Sequence, residues 1–117
     1  SEVVNVIGDV AGKNVIIRDD MIDTGGSLVG AAEALKKNGA NTIFAACTHA
    51  LLSGPSVQRI EASSLTKLIV SDSVGLTPEK RIEKIEVLSV ASLFGEAIRR
   101  IHEEKSVSSL FESADQT

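Results

Sequence analysis

The run Asp19-Asp20-Met21-Ile22-Asp23-Thr24-Gly25-Gly26-Ser27 brings together three carboxylates, two hydroxyls and two adjacent glycines. Carboxylates accept hydrogen bonds from sugar hydroxyls or ligate a hard divalent cation. Glycines let the main chain approach an anion, and a helix N-terminus directs unpaired N–H groups at it. A ligand that is both hydroxyl-rich and phosphate-bearing satisfies both halves of the run, so a sugar phosphate is the first expectation. An acidic cap on an ordinary strand-to-helix turn is the bland alternative. It accounts for fewer of these residues.

The other reactive side chains gather no second centre. His49 lacks a serine or cysteine arrangement that would make it a general base, and is expected in a loop, donating hydrogen bonds. Cys47, the single cysteine, follows Ala45-Ala46 and reads as a small core residue. It excludes an internal disulfide framework and fits a reducing, cytoplasmic setting. Two separated histidines and one cysteine make no zinc site, and no other metal site is expected. His102 reads as solvated. Arg99-Arg100 belongs to a solvated helix face or an interface salt bridge, and the charged run from Glu79 to Glu86 to exposed surface.

The elements that would hold the acidic run follow from periodicity. Val3 to Ile7 and Asn14 to Arg18 read as strands, separated by a turn region with Gly8-Asp9 and Gly12-Lys13. Leu28, Ala31, Ala32 and Leu35 share one helical face, and Gly39 is placed to end that helix. Thr42 to Thr48 is a nearly continuous apolar run, as for a strand covered on both faces. A short helix with Val57 and Ile60 inward follows Ser53-Gly54-Pro55. Strands are expected at Leu65 to Val70 and Ile85 to Val90, with a helical turn at Thr77-Pro78-Glu79 between them. Val90, Leu93, Phe94, Ala97, Ile98 and Ile101 define an amphipathic helix. Alternating strands and helices predict an α/β fold, a mostly parallel sheet flanked by helices. Ligands of such sheets sit at the carboxyl ends of strands, where Asp19, Asp20 and Asp23 fall.

Composition bounds the partners. The 117 residues suit one domain, 1–117, with a polar tail at 106–117; 43% are hydrophobic and 24% charged. A net charge of −4 gives no basic field for nucleic acid or an anionic membrane, and three Phe without Trp or Tyr make no base-stacking platform. No signal peptide is seen and no apolar run is long enough to span a bilayer. Starting at Ser1 and entering an apolar segment at once, the chain reads as a fragment of a longer protein.

The acidic run resembles the phosphoribosyl diphosphate loop of the type I phosphoribosyltransferase fold. Three further stretches narrow the resemblance: Gly8-Asp9-Val10-Ala11-Gly12-Lys13; Thr48-His49-Ala50-Leu51-Leu52-Ser53-Gly54-Pro55; and Glu96-Ala97-Ile98-Arg99-Arg100-Ile101-His102 with Ser106-Val107-Ser108-Ser109-Leu110-Phe111. Together they are similar to the ribose-phosphate diphosphokinase family, over its C-terminal portion. That resemblance implies transfer of the diphosphoryl group of Mg-ATP to the C1 hydroxyl of ribose 5-phosphate. Asp19 and Asp20 would then shape the ribose pocket, and Asp23, Thr24, Gly25, Gly26 and Ser27 the 5-phosphate site. Asp23 would repel a dianion directly, so it is expected to pin the loop through backbone N–H groups or to lie near the metal-bound diphosphate.

The resemblance also implies a regulatory phosphate site at Ser106, Val107, Ser108, Ser109 and Phe111, and a homo-oligomer of dimers building a hexamer, with Leu110 and Phe111 at an interface. The family's catalytic lysine and arginine, its nucleotide-binding residues and its metal-binding histidine lie upstream. No catalytic residue is therefore expected in this chain, which alone should not turn over. Arg18 stands where the family usually has an apolar residue, either facing ligand or leaving the sheet at an edge. A non-catalytic associated subunit and a base-specific phosphoribosyltransferase are the competing readings.

Overall fold

Strand formation here follows from β-branched and small apolar residues at period two. In a computed structural model, which describes residues 5–112, Ile43, Ala45 and Cys47 alternate into the core and Leu68 and Val70 join them from the next strand. Four strands result: β1 (Val15–Ile22), β2 (Ile43–Ala50), β3 (Lys67–Ser71) and β4 (Ile85–Leu88). They pair in parallel in the order β1-β2-β3-β4. Between and after them run α1 (Gly26–Lys37), α2 (Ser56–Ala62), a 3₁₀ turn at Pro78–Lys80, α3 (Ala91–His102) and α4 (Ser109–Glu112). This is the α/β fold with a parallel sheet that the sequence predicts.

The core lies between one sheet face and the helices α1 and α2. Leu28 and Ala32 of α1 and Ile60 of α2 are buried against Ile43, Ala45, Leu68 and Val70. Ile60 and Leu68 are fully buried, each stabilising the fold by about 1.5–3 kcal/mol. Small side chains at Ala32 and Ala45 fit a close helix-to-sheet approach. Gly39, at φ 90°, closes α1 as predicted: its N–H donates to Lys36 O (3.0 Å), and the Ala40 N–H donates to Leu35 O (3.1 Å). That pair of bonds is a Schellman motif, which only a residue at ease in the left-handed region closes without strain.

Four expectations need correction. Of Val3 to Ile7, residues 3 and 4 lie outside the described residues, and 5–7 form no strand, with Ile7 97% exposed. The β1 strand does not end at Arg18 but continues in register with β2 as far as Ile22 opposite Ala50. A backbone ladder is indifferent to side-chain polarity, and the carboxylates of an edge strand reach water. The β2 strand is buried on one face only; Phe44 and Ala46 on the other are half-buried, beside exposed Ile16 and Arg18 of β1. Arg18 therefore stands on an edge strand. Lys84, assigned to an exposed charge run, is half-buried. Its ammonium caps the C-terminal end of α2, donating to Ile60 O (3.3 Å), Glu61 O (3.0 Å) and Ser63 O (3.1 Å).

Helix α3 has the predicted periodicity, but none of its residues is buried. Phe94, Ile98 and Ile101 are 56%, 67% and 67% exposed. Its polar side is internally paired: Arg99 reaches Glu96 (2.6 Å) and Glu103 (3.0 Å), and Arg100 reaches Glu96 (2.8 Å). Two guanidiniums, Arg99 before Arg100, hold the Glu96 carboxyl down at about 2. Among the described residues no helix is long and apolar enough to cross a membrane.

Candidate functional site

The acidic run folds as strand, turn and helix start. Asp19 and Asp20 are the exposed last part of β1, Ile22 drops into the core, and Asp23, Thr24 and Gly25 turn before α1 opens at Gly26. Leu28 re-enters the core one turn into α1. The polar residues between are thus suspended from two buried anchors, Ile22 and Leu28. Gly25 adopts φ 81°, ψ −1° as the residue preceding α1, a left-handed conformation that costs an L-residue roughly 1–2 kcal/mol. Gly26 has no such φ.

These residues line one cavity of about 240 Å³, formed by Asp19, Met21, Ile22, Asp23, Thr24, Gly25, Gly26, Ser27 and Leu28. It is smaller than the ~300 Å³ at which drug-sized pockets begin, and suits a single compact polar ligand. Its lining includes the carboxylate residues Asp19 and Asp23, the hydroxyl residues Thr24 and Ser27, and the main chain of the turn. Among the described residues, the N–H groups of Thr24, Gly25, Gly26, Ser27 and Leu28 donate to no protein acceptor; the first inward bond of α1 runs from Val29 N–H to Gly25 O (3.0 Å). Unspent donors at a helix start favour an anion.

Asp20 lines no part of this cavity, so the structure separates it from Asp19 although the two are adjacent in sequence. Its backbone N–H donates to Asp19 Oδ1 (2.8 Å). A side-chain hydrogen bond with Asp19, then backbone N–H groups of Asp20 and Met21, hold the Asp20 carboxyl below its usual range. Asp20 is therefore an ionised acceptor at neutral pH.

The segment after β2 braces the turn from below, which the sequence did not reveal. Leu51 and Leu52 N–H groups both donate to Ile22 O (3.0 and 3.2 Å), and Ser53 N–H donates to Asp23 O (2.9 Å). Leu52 accepts a left-handed φ of 53° to do so while its side chain is 1% exposed. Ser56 is fully buried with its Oγ unpartnered among the described residues, and a Cβ on Gly25 would meet Ser56 Cβ at 3.5 Å. Arg59 Nη1 donates to Thr24 O (3.2 Å). No periodicity signals these contacts, because they join residues about thirty positions apart only once the strands have paired.

His49 lies in β2 rather than a loop, with Nδ1 2.8 Å from Ser73 Oγ. Ser73 Oγ also lies 2.9 Å from Thr48 O, which accepts a second hydroxyl bond from Ser71 Oγ (2.6 Å). Cys47 is 6% exposed, and burial pushes its thiol up. Ser106 to Phe111 is tied back to α3: Arg100 Nη1 donates to Ser106 O (3.2 Å) and to Ser109 Oγ. Among the described residues no group of three His, Cys, Asp or Glu converges on a metal position.

A parallel sheet with an acidic strand end and a helix start whose amides are free defines an α/β protein with a candidate anion-binding turn at the carboxyl end of β1. Residues 2–112 match the model of the phosphoribosyl synthetase-associated domain, and the chain belongs to that family. It is 54% identical over 112 residues to a ribose-phosphate pyrophosphokinase of Clostridium acetobutylicum, covering 96% of this chain and 35% of that protein. It is 52% identical over 113 residues to ribose-phosphate pyrophosphokinase 2 of Enterococcus faecalis, covering 97% and 35%. The crystal structure of phosphoribosylpyrophosphate synthetase from Mycobacterium smegmatis superposes with a TM-score of 0.82 at 41% identity, over 84% of this chain and 33% of that one. The chain thus spans about a third of the length of these relatives.

Proposed function

We propose that this chain carries the ribose 5-phosphate subsite of a ribose-phosphate diphosphokinase, corresponding to its C-terminal portion. The observation that carries the reading is the cavity at the β1–α1 junction, lined by Asp19 and by a turn whose amides donate to no protein acceptor among the described residues. Asp19 accepts from ribose hydroxyls, and Asp20 beside it holds the strand end in shape. Thr24, Gly25, Gly26 and Ser27 receive the 5-phosphate through N–H and O–H donors, while Asp23 fixes the turn. In the complete reaction the C1 hydroxyl oxygen forms a bond to the β-phosphorus of ATP and gives up its proton to solvent, the bond from that phosphorus to the α-phosphate oxygen breaks, and AMP leaves.

Catalysis in this reading rests on positioning and on charge neutralisation. Mg²⁺ enters as part of the Mg-ATP substrate. The donor set of the described residues does not form a cage for it. A cytoplasmic homo-oligomer of dimers, and a regulatory phosphate taken by Ser106, Val107, Ser108, Ser109 and Phe111 near Arg100, complete the proposal; the bonds of Arg100 to Ser106 and Ser109 support the latter.

The test is an NMR titration of ribose 5-phosphate into the chain, following the amides of Asp23 to Ser27. Selective shifts there support the assignment. An unperturbed turn in a folded sample overturns it for this chain, and a mixture of the chain with Mg-ATP and ribose 5-phosphate is expected to release no AMP.

A further inference from the structure

Every polar group lining the cavity is an acceptor, a hydroxyl or an amide; no lysine or arginine is among its residues, whereas two aspartates are. A dianion placed there meets Asp19 and Asp23 with no lining cation to offset them. The cation in contact with the turn comes from behind. Arg59 of α2 donates to Thr24 O (3.2 Å), and its Nη1 lies 3.5 Å from where a Cβ on Gly26 would stand. The guanidinium therefore packs on bare main chain, in space that a side chain at Gly26 would narrow.

We infer that Arg59 is a positioning and specificity residue for the sugar-phosphate turn, selecting the phosphorylated ligand. It acts with two other contacts from the same segment, Ser53 N–H on Asp23 O and Ser56 beneath Gly25. Drawing the carbonyls of Asp23 and Thr24 toward α2 leaves the N–H groups of the turn unspent on the cavity side. The same guanidinium adds a permanent positive charge behind those amides. The arrangement discriminates by charge, because a neutral sugar gains little from the cation while a phosphate gains directly.

The inference rests on the sugar-phosphate reading, and its test keeps the two apart. Ribose 5-phosphate and ribose are each titrated into the wild-type chain and into Arg59→Ala, Arg59→Gln and Arg59→Lys, with amide shifts and thermal unfolding followed together. Arg59→Ala is expected to weaken ribose 5-phosphate binding by roughly tenfold, the scale of one charge-assisted bond, and to leave ribose binding unchanged. Arg59→Gln keeps a donor for Thr24 O without the charge and is expected to stay weak; Arg59→Lys keeps the charge and is expected to recover part of the loss.

Should Arg59→Ala fail to fold, the contrast between Gln and Lys decides alone. Equal losses for both ligands, or Gln matching wild type, would overturn the inference while leaving the site assignment standing. A folded wild-type chain that binds neither ligand would overturn both.

Discussion

Two neighbouring glycines at the turn are expected to answer the same substitution with opposite signs. Gly25 holds φ 81° immediately before α1, whereas Gly26 is the first residue of α1 and has no positive φ. Forcing alanine into the left-handed region costs roughly 1–2 kcal/mol, and the stiffer unfolded chain returns about 0.4–1 kcal/mol of that. Space is not the obstacle, since the new Cβ would meet Ser56 Cβ at 3.5 Å, an ordinary contact. Gly25→Ala should therefore destabilise the chain by about 1 kcal/mol.

At Gly26 the new methyl meets only Arg59 Nη1, again at 3.5 Å, the far end of a flexible side chain. Helix preference there favours alanine by roughly 0.5–1 kcal/mol, so Gly26→Ala should be neutral or slightly stabilising. The two variants are then separated by about 1–2 kcal/mol, or on the order of 4–8 °C in Tm. Urea unfolding of both, followed by circular dichroism, measures the separation. Equal midpoints, or a larger loss at Gly26, would refute the assignment of strain to Gly25.

Two further outcomes follow from titrating groups. Cys47 is 6% exposed with its thiol pushed up by burial, so a thiol reagent at neutral pH should label it roughly tenfold or more slowly in the native chain than in urea; equal rates would contradict the burial. Glu96 has a carboxyl lowered from 4.5 to about 2 by Arg99 and Arg100. A depressed carboxylate stabilises the folded form above its unfolded value, so its contribution is full above about 4.5 and is lost as pH falls toward about 2. Carboxyl ¹³C shifts should place the Glu96 midpoint near that lower value, and α3 helicity should decline across the same window; an ordinary midpoint near 4.5 would remove the pairing.

Local pattern carried much of the fold. A nearly continuous apolar run located β2 and the apolar stretch from Leu65 to Val70 located β3, the spacing from Leu28 to Leu35 located α1, and Gly39 marked its end because few residues tolerate that backbone. The composition of the acidic run pointed to the end of β1, where Asp19 and Asp23 to Ser27 line a cavity and Asp20 does not. What stayed hidden depended on long-range geometry. The continuation of β1 through Asp19 and Asp20 is decided by pairing with β2, not by strand propensity. Lys84 sits in a charged run that reads as surface and Arg59 carries no local signal, and only the fold aims them at the end of α2 and at Thr24. For α3, periodicity predicted an apolar face correctly but could not say what lies against it.

The position of β1 has a consequence for how the cavity comes and goes. Among the described residues this strand is bonded to β2 alone, whereas β2 and β3 each have neighbours on both sides. Detaching it breaks one ladder instead of two, so in hydrogen exchange its amides belong to the cooperative unit that opens at lower free energy than the middle of the sheet. Asp19 and the turn would leave with that unit while Leu52, Ser56 and Arg59 stay behind on the braced side. Any ligand that spans Asp19 and the turn binds only the closed form. Occupancy then raises the opening free energy of the edge by the binding linkage, and an edge strand of the sheet becomes the one whose order reports the ligand.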